Sequence, residues 1–293
     1  MMRIGLIGVG KMGLPIACNL MERGFEVTGF RRGPADDLIA AGGRVAASPA
    51  ELAADADVLM SILPDSAAVD EVIRGISGTL RQMRPGTVHL EMSTIEVAVK
   101  SKLRDAVVDA GGDLLDCPIS GSPGMVAPRL ATTFVSGDQD SVDRVRSVLD
   151  AISGRWVHTG DFGTATRLKY VANLLVAVHT VAAAEAMAVA ESCGLDLALV
   201  QSTLDDGIAS STIWKQRGPV MRRREWEPAP GPIDTLAQIL DQIEVAAATA
   251  GVATPVFAAA KTLFDQAREL DRGQLDIASV LDQVAPPRPG VAT

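Results

Sequence analysis

Arg3-Ile4-Gly5-Leu6-Ile7-Gly8-Val9-Gly10-Lys11-Met12-Gly13 opens with an apolar run, breaks into G-x-G-x-x-G, and continues as a helix-like repeat. Residues 2–7 read as a strand and 12–23 as a helix. Glycines at that junction have a geometric reading. Gly8 allows the tight turn, Gly10 lets backbone approach a pyrophosphate, and Gly13 permits close helix–strand packing. The free N–H groups at the helix start would receive the pyrophosphate. Gly8, Gly10, Lys11, Met12 and Gly13 are therefore candidate cofactor-binding residues.

Outward from this stretch the pattern repeats. Strands are expected at 26–30, 44–46, 58–62, 87–91, 114–117, 132–136 and 155–158. Helices are expected at 34–41, from 65, at 96–110 and at 138–152. Alternation of this kind means crossover connections and a largely parallel sheet. After Gly163 the pattern changes. Residues 164–192 contain neither proline nor glycine and read as one helix about 44 Å long. The rest reads helical, with loops near Gly207, Gly218 and 228–232. The expected architecture is an α/β Rossmann-type domain over 1–162 and an all-α domain over 163–293, joined by the long helix. The tail 286–293 is expected to fray.

Composition narrows the function. The 293 residues carry 27 Lys+Arg against 36 Asp+Glu, a net charge of −9. That balance argues against nucleic acid or an anionic membrane surface as partner. Cys18, Cys117 and Cys193 show no CxxC spacing, so a disulfide framework or zinc knuckle is not expected. A reducing, cytoplasmic setting is expected instead. The first apolar run is too short for a signal peptide. The long helix contains Asn173, His179 and Glu185 and reads as a buried helix rather than a membrane span. Three histidines make a multi-His metal site improbable.

The second strand ends in Phe30-Arg31-Arg32, where a site selective for NAD carries an acid. Arg31 and Arg32 have the chemistry to clamp a 2′-phosphate. The expected cofactor is NADP(H).

Further motifs carry a resemblance. Gly5–Gly24 (GLIGVGKMGLPIACNLMERG) is similar to the N-terminal signature of the β-hydroxyacid dehydrogenase family, of the 3-hydroxyisobutyrate dehydrogenase type. Leu63-Pro64 resembles its cofactor-contacting loop. Glu91-Met92-Ser93-Thr94 resembles its Asp-x-Ser-Thr segment beside the nicotinamide. Asp116-Cys117-Pro118-Ile119-Ser120-Gly121 resembles its substrate motif. Gly160-Asp161-Phe162-Gly163, with Lys169 and Asn173, resembles its catalytic motif. The resemblance spans about residues 1–260. It implies that Leu63, Pro64, Ser93 and Thr94 contact cofactor, that Ser120, Gly121 and Asn173 hold substrate, and that Lys169 is catalytic. Ser122 follows in the substrate turn, and Trp214 falls where the family has a pocket-lining segment. Core packing is an equal reading of Trp214.

The chain departs from the family in three places. Ser122-Pro123 replaces the second glycine, Cys117 replaces alanine, and Gln238-Ile239 replaces a Lys-Asp pair.

Lys169 and Asn173, at i and i+4, share one helix face. In an apolar helix Lys169 has the makings of a general acid to a carbonyl and a base to a hydroxyl. Asn173 offers both a donor and an acceptor. The expected activity is NADP(H)-dependent interconversion of a small β-hydroxy acid and its semialdehyde. An imine reductase-like enzyme and a non-catalytic NADP-binding regulator stay open. The expected partners are a small-molecule substrate and a second copy of the chain, as a homodimer or higher oligomer.

Overall fold

A computed structural model describes residues 2–285, so the proline-rich tail 286–293 lies outside the described residues. The chain forms two compact units that divide between Lys169 and Tyr170, inside the long helix.

The first unit holds strands β1 (Arg3–Ile7), β2 (Glu26–Phe30), β3 (Arg44–Val45), β4 (Val58–Ser61), β5 (Val88–Glu91) and β6 (Asp113–Asp116) in one sheet, ordered β3-β2-β1-β4-β5-β6. All pairings are parallel. The order reverses at β1, which is the switch point of a doubly wound Rossmann sheet. Helices α1 (Gly13–Glu22), α2 (Asp36–Ala40), α3 (Pro49–Asp55), α4 (Ser66–Arg74) and α5 (Val97–Asp109) provide the crossovers. Both faces of the sheet are covered. Ile4, Leu6, Met60 and Leu90 join one buried cluster, while Ile7, Leu59 and Leu114 join another. That is why the strands read as nearly continuous apolar runs.

A second sheet, not foreseen as separate, contains β7 (Ile119–Ser120), β8 (Thr132–Val135) and β9 (Arg155–His158). β7 is antiparallel to β8, and β8 is parallel to β9. Helix α6 (Pro123–Val126) follows β7. The helix expected over 138–152 is two, α7 (Gln139–Arg144) and α8 (Arg146–Ile152). At Val145 the backbone N–H is shared between the carbonyls of Ser141 and Val142, which tightens the turn and ends α7. Helix α3 was also unforeseen, although its start is signalled. Ser48 caps it, Pro49 occupies its first turn, and Glu51 reaches back to the Ala47 N–H.

Helix α9 (Thr164–Ser192) has the expected 29 residues. The second unit continues with α10 (Leu197–Leu204), α11 (Thr212–Arg223), α12 (Ile233–Thr249), α13 (Pro255–Glu269) and α14 (Leu281–Val284). Its core joins Ala177, Ala184 and Met187 of α9 to Leu240, Phe264 and Ile277. The loop expected at Gly218 is instead the interior of α11. A Cβ there would stand 3.3 Å from both Gln201 Nε2 and Met187 Cε, so this glycine serves close packing.

Candidate active site

The loop after β1 behaves as its glycines demand. Gly8 has φ +95°, and a Cβ on it would stand 2.2 Å from the Ile62 carbonyl oxygen. A Cβ on Gly10 would meet nothing within 4 Å, which leaves open approach to this backbone. Helix α1 starts with no side-chain cap and no acid in its first turn. Its N-terminal N–H groups and positive dipole end therefore suit a pyrophosphate. Lys11 is exposed beside the turn, and Met12 is half-buried.

The two arginines after β2 differ in setting. Arg31 Nη1 donates to the Val9 carbonyl at 2.9 Å and pairs with Asp37 Oδ2 at 3.0 Å, while its Nε donates to the Pro34 carbonyl. It clamps the glycine loop from below. Arg32 is exposed and has no ion pair among the described residues.

At the carboxyl ends of the central strands lies a polar row that the sequence reading missed as a unit. Register places Ser61 of β4 beside Glu91 of β5, and Glu91 beside Asp116 of β6. All three are fully buried, as are His89 and Lys100. Ser61 Oγ bonds to Glu91 Oε2 and lies 2.8 Å from His89 Nε2. Glu91 Oε1 accepts the Ser93 N–H at 2.7 Å, and Ser93 Oγ accepts the Leu63 N–H at 2.9 Å. Ser93 is thereby tied to the Leu63-Pro64 loop. Lys100 Nζ donates to Asp116 Oδ1 at 2.8 Å.

Burial pushes the Glu91 carboxyl up, while the Lys100 ammonium and the Thr166 donors hold Asp116 below the usual range against its own burial. The row therefore sets the Lys100 ammonium between two buried carboxyls, 2.8 Å from Asp116 Oδ1 and 4.0 Å from Glu91 Oε1. A signal for Lys100 existed. It stands at i, i+3, i+7 with Leu103 and Val107, the buried face of α5.

Asp116 also accepts from the Thr166 N–H at 2.9 Å and from Thr166 Oγ1 at 2.7 Å, anchoring the first turn of α9. Three residues on, Lys169 is 8% exposed, and burial lowers its pKa to about 8. It makes no ion pair among the described residues. Asn173, 5% exposed, follows one turn later on the same face of α9.

Ser120 ends β7 and is half-buried, Gly121 is exposed, and Ser122 stands at the N-cap position just before α6, with Pro123 in the first turn. Thr94 is half-buried beside Ser93. Trp214, 4% exposed, packs in the helical core of the second unit, and its ring N–H has no partner among the described residues. Burial pushes the Cys117 thiol up, which leaves it a packing residue. Gln238 of α12 is exposed and Ile239 is half-buried.

Comparisons with known proteins give the setting. The family described as the NAD binding domain of 6-phosphogluconate dehydrogenase matches residues 3–160. The family described as NAD-binding of NADP-dependent 3-hydroxyisobutyrate dehydrogenase matches residues 163–284. Glyoxylate/succinic semialdehyde reductase 1 of Arabidopsis thaliana is 27% identical over 97% of this chain and 98% of its own length. The crystal structure of 3-hydroxyisobutyrate dehydrogenase from Salmonella typhimurium matches with TM-score 0.89 and 26% identity, covering 97% of this chain and 100% of that one. A Streptomyces aurantiacus imine reductase shares the fold, with TM-score 0.66 and 23% identity over 96% of this chain and 99% of that one.

Proposed function

The chain belongs to the β-hydroxyacid dehydrogenase family, and from that premise we propose that it interconverts a small β-hydroxy acid and its semialdehyde with NADP(H). The observation that carries the reading is Lys169, a lysine buried in an apolar helix with a pKa near 8. A group with that pKa is poised to exchange a proton near neutral pH.

A bound nicotinamide supplies or accepts the hydride. The remaining work falls to this chain. In reduction, Lys169 Nζ gives its proton to the carbonyl oxygen as the carbon gains hydride. In oxidation, Lys169 takes the proton from the hydroxyl. Ser120 and the Gly121 backbone offer the substrate carboxylate a hydroxyl and an N–H. Asn173, one turn along α9, offers an amide to the substrate. Gly8, Gly10 and Gly13 cradle the pyrophosphate, and Leu63, Pro64, Ser93 and Thr94 support the nicotinamide end. Arg32 is free to meet a 2′-phosphate, which is the ground for preferring NADP over NAD.

NADPH consumption across a panel of small semialdehydes and cyclic imines tests this, with NADH and Lys169→Ala as controls. Turnover of a carboxylate-bearing aldehyde that is lost in Lys169→Ala is the expected result. Turnover of imines alone would move the assignment to an imine reductase, a reading favoured by Gln238-Ile239 in place of the family's Lys-Asp pair. Cofactor binding with no turnover would point to a regulator.

The reading includes a second copy of the chain. Leu168, Val171 and Leu175 stand exposed along α9 at three- and four-residue steps, and Val189 stands exposed fourteen residues further on. Helix α9 is long and apolar enough to cross a membrane, but its inner face contributes to the helical core. A two-fold partner covering the outer stripe accounts for both. Sedimentation velocity is expected to give a dimer or larger, weakened by Leu175→Glu. The three cysteines are all free, in keeping with a reducing, cytoplasmic setting.

A further inference from the structure

The Lys100 ammonium sits with no solvent exposure between the ends of β5 and β6. It donates to Asp116 Oδ1 at 2.8 Å and to the Glu91 carbonyl at 3.3 Å, and lies 4.0 Å from Glu91 Oε1. Its place in the α5 pattern, with Leu103 and Val107, is on the buried face of that helix. Desolvating an ion pair costs about as much as the pair returns, so stability alone gives no reason for a cation here.

Its partners lead in two directions within the first unit. Asp116 accepts both the N–H and the hydroxyl of Thr166. Ser136 Oγ donates to Asp116 at 3.1 Å and receives the N–H groups of Gly163 and Ala165. The first turn of α9, and Lys169 three residues later, therefore hang on Asp116. In the other direction Glu91 holds the Ser93 N–H, and Ser93 holds Leu63.

We propose that Lys100 is a positioning residue: by joining Asp116 to the Glu91 backbone it fixes the first turn of α9, and with it Lys169, against the Leu63–Ser93 loop. The inference rests on the reading of Lys169 as the proton-transfer group. Without the ammonium, Asp116 is a buried carboxylate with no counter-ion. It then takes up a proton and gives up part of its capacity to accept from Thr166.

The test compares the full chain with Lys100→Met and with Lys100→Met/Asp116→Asn, in which position 116 no longer holds a carboxylate without its counter-ion. Two readouts are taken: kcat and KM for NADPH-dependent reduction, and amide hydrogen exchange over 163–169 against that of β1 and β5. In Lys100→Met, kcat is expected to fall about 10- to 100-fold, the scale of a misplaced catalytic group. The KM for NADPH is expected to change less than about threefold, the pattern of an interaction that matters to the reaction rather than to binding. Exchange is expected to rise over 163–169 and stay unchanged in β1 and β5.

A lysine with only a structural role would instead lower the melting temperature and raise exchange throughout the unit, leaving kcat per folded molecule intact. That result overturns the proposal. So does full protection over 163–169 in either folded variant, and the double variant decides if Lys100→Met does not fold. An inactive wild-type chain would sink the proposed reaction, while the exchange arm still judges Lys100.

Discussion

A Cβ placed on Gly13 would stand 2.1 Å from the carbonyl oxygen of Gly8. No backbone at that distance tolerates a methyl group, so Gly13 is required by packing whether or not cofactor is bound. Gly10 has no such neighbour. The two positions therefore separate fold from binding. Gly13→Ala is expected to cost about 2 kcal/mol or more in urea denaturation, the overpacking range. Gly10→Ala is expected to change stability by less than about 0.5 kcal/mol. It should weaken NADPH at least about tenfold in a fluorescence titration, or 1.4 kcal/mol. Tight NADPH binding by Gly10→Ala would remove the pyrophosphate from this loop.

Lys169 makes opposite predictions for stability and activity. Its pKa is about 8 in the folded chain against an ordinary 10.5. Between those values the unfolded chain binds more protons, so this group's contribution to stability rises with pH through that window and is least below pH 8. Lys169→Met removes the cost. It is expected to stabilise the protein by roughly 2 kcal/mol at pH 7, with a smaller gain at pH 10. Turnover should fall by about 100-fold or more. In wild type, the reduction rate should decline above pH 8 as the ammonium is lost, and the oxidation rate should rise. An equal loss of stability in Lys169→Met at both pH values would show that the amine carries no buried cost.

Much of this was legible in advance because it depends on local sequence. The strand–glycine–helix opening and the long helix from 164 each follow from contiguous residues. The row of Ser61, Glu91 and Asp116 does not. Its members come from three strands 25 to 30 residues apart, and only sheet register brings them side by side. Lys100 was overlooked for a different reason, although its spacing with Leu103 and Val107 put it on the buried face of α5. A lysine on an amphipathic helix reads as solvated, and only the carboxylate it meets inside explains its burial. At Gly218 the usual reading of glycine as a breaker failed because tight packing set the residue.

The arginines after β2 are expected to separate cofactor choice from loop support. Arg32 has no partner among the described residues and contributes little to the folded chain. Arg32→Ala should raise the KM for NADPH about 10- to 100-fold, the worth of a lost charge-assisted phosphate contact, and leave the KM for NADH unchanged. Arg31 clamps the Val9 carbonyl. Arg31→Ala should weaken both cofactors together, because the glycine loop beneath the pyrophosphate loosens. Steady-state KM values for both cofactors in both variants decide the point, and equal effects from Arg32→Ala would cancel the 2′-phosphate assignment.

His89 sets an acid limit on the fold. It is fully buried beside Ser61, with no acid bonded to its ring, and burial lowers its pKa to about 4 from 6.5. Below pH 6.5 the unfolded chain gains a proton that the folded chain refuses, so stability drops as pH falls from 6.5 to 4. Glu91, whose carboxyl burial pushes up, contributes the opposite slope, so the wild-type curve alone does not isolate His89. His89→Gln does, since its amide nitrogen can keep the contact with Ser61 and does not titrate. Relative to wild type, His89→Gln should lose less stability between pH 6.5 and 4, by about one proton in the slope. Identical slopes in urea denaturation across that range would mean that the folded chain admits the proton at His89. That proton would sit on Nδ1, which is buried with no hydrogen-bond partner among the described residues, so an acceptor would have to turn toward it while Nε2 keeps its contact with Ser61.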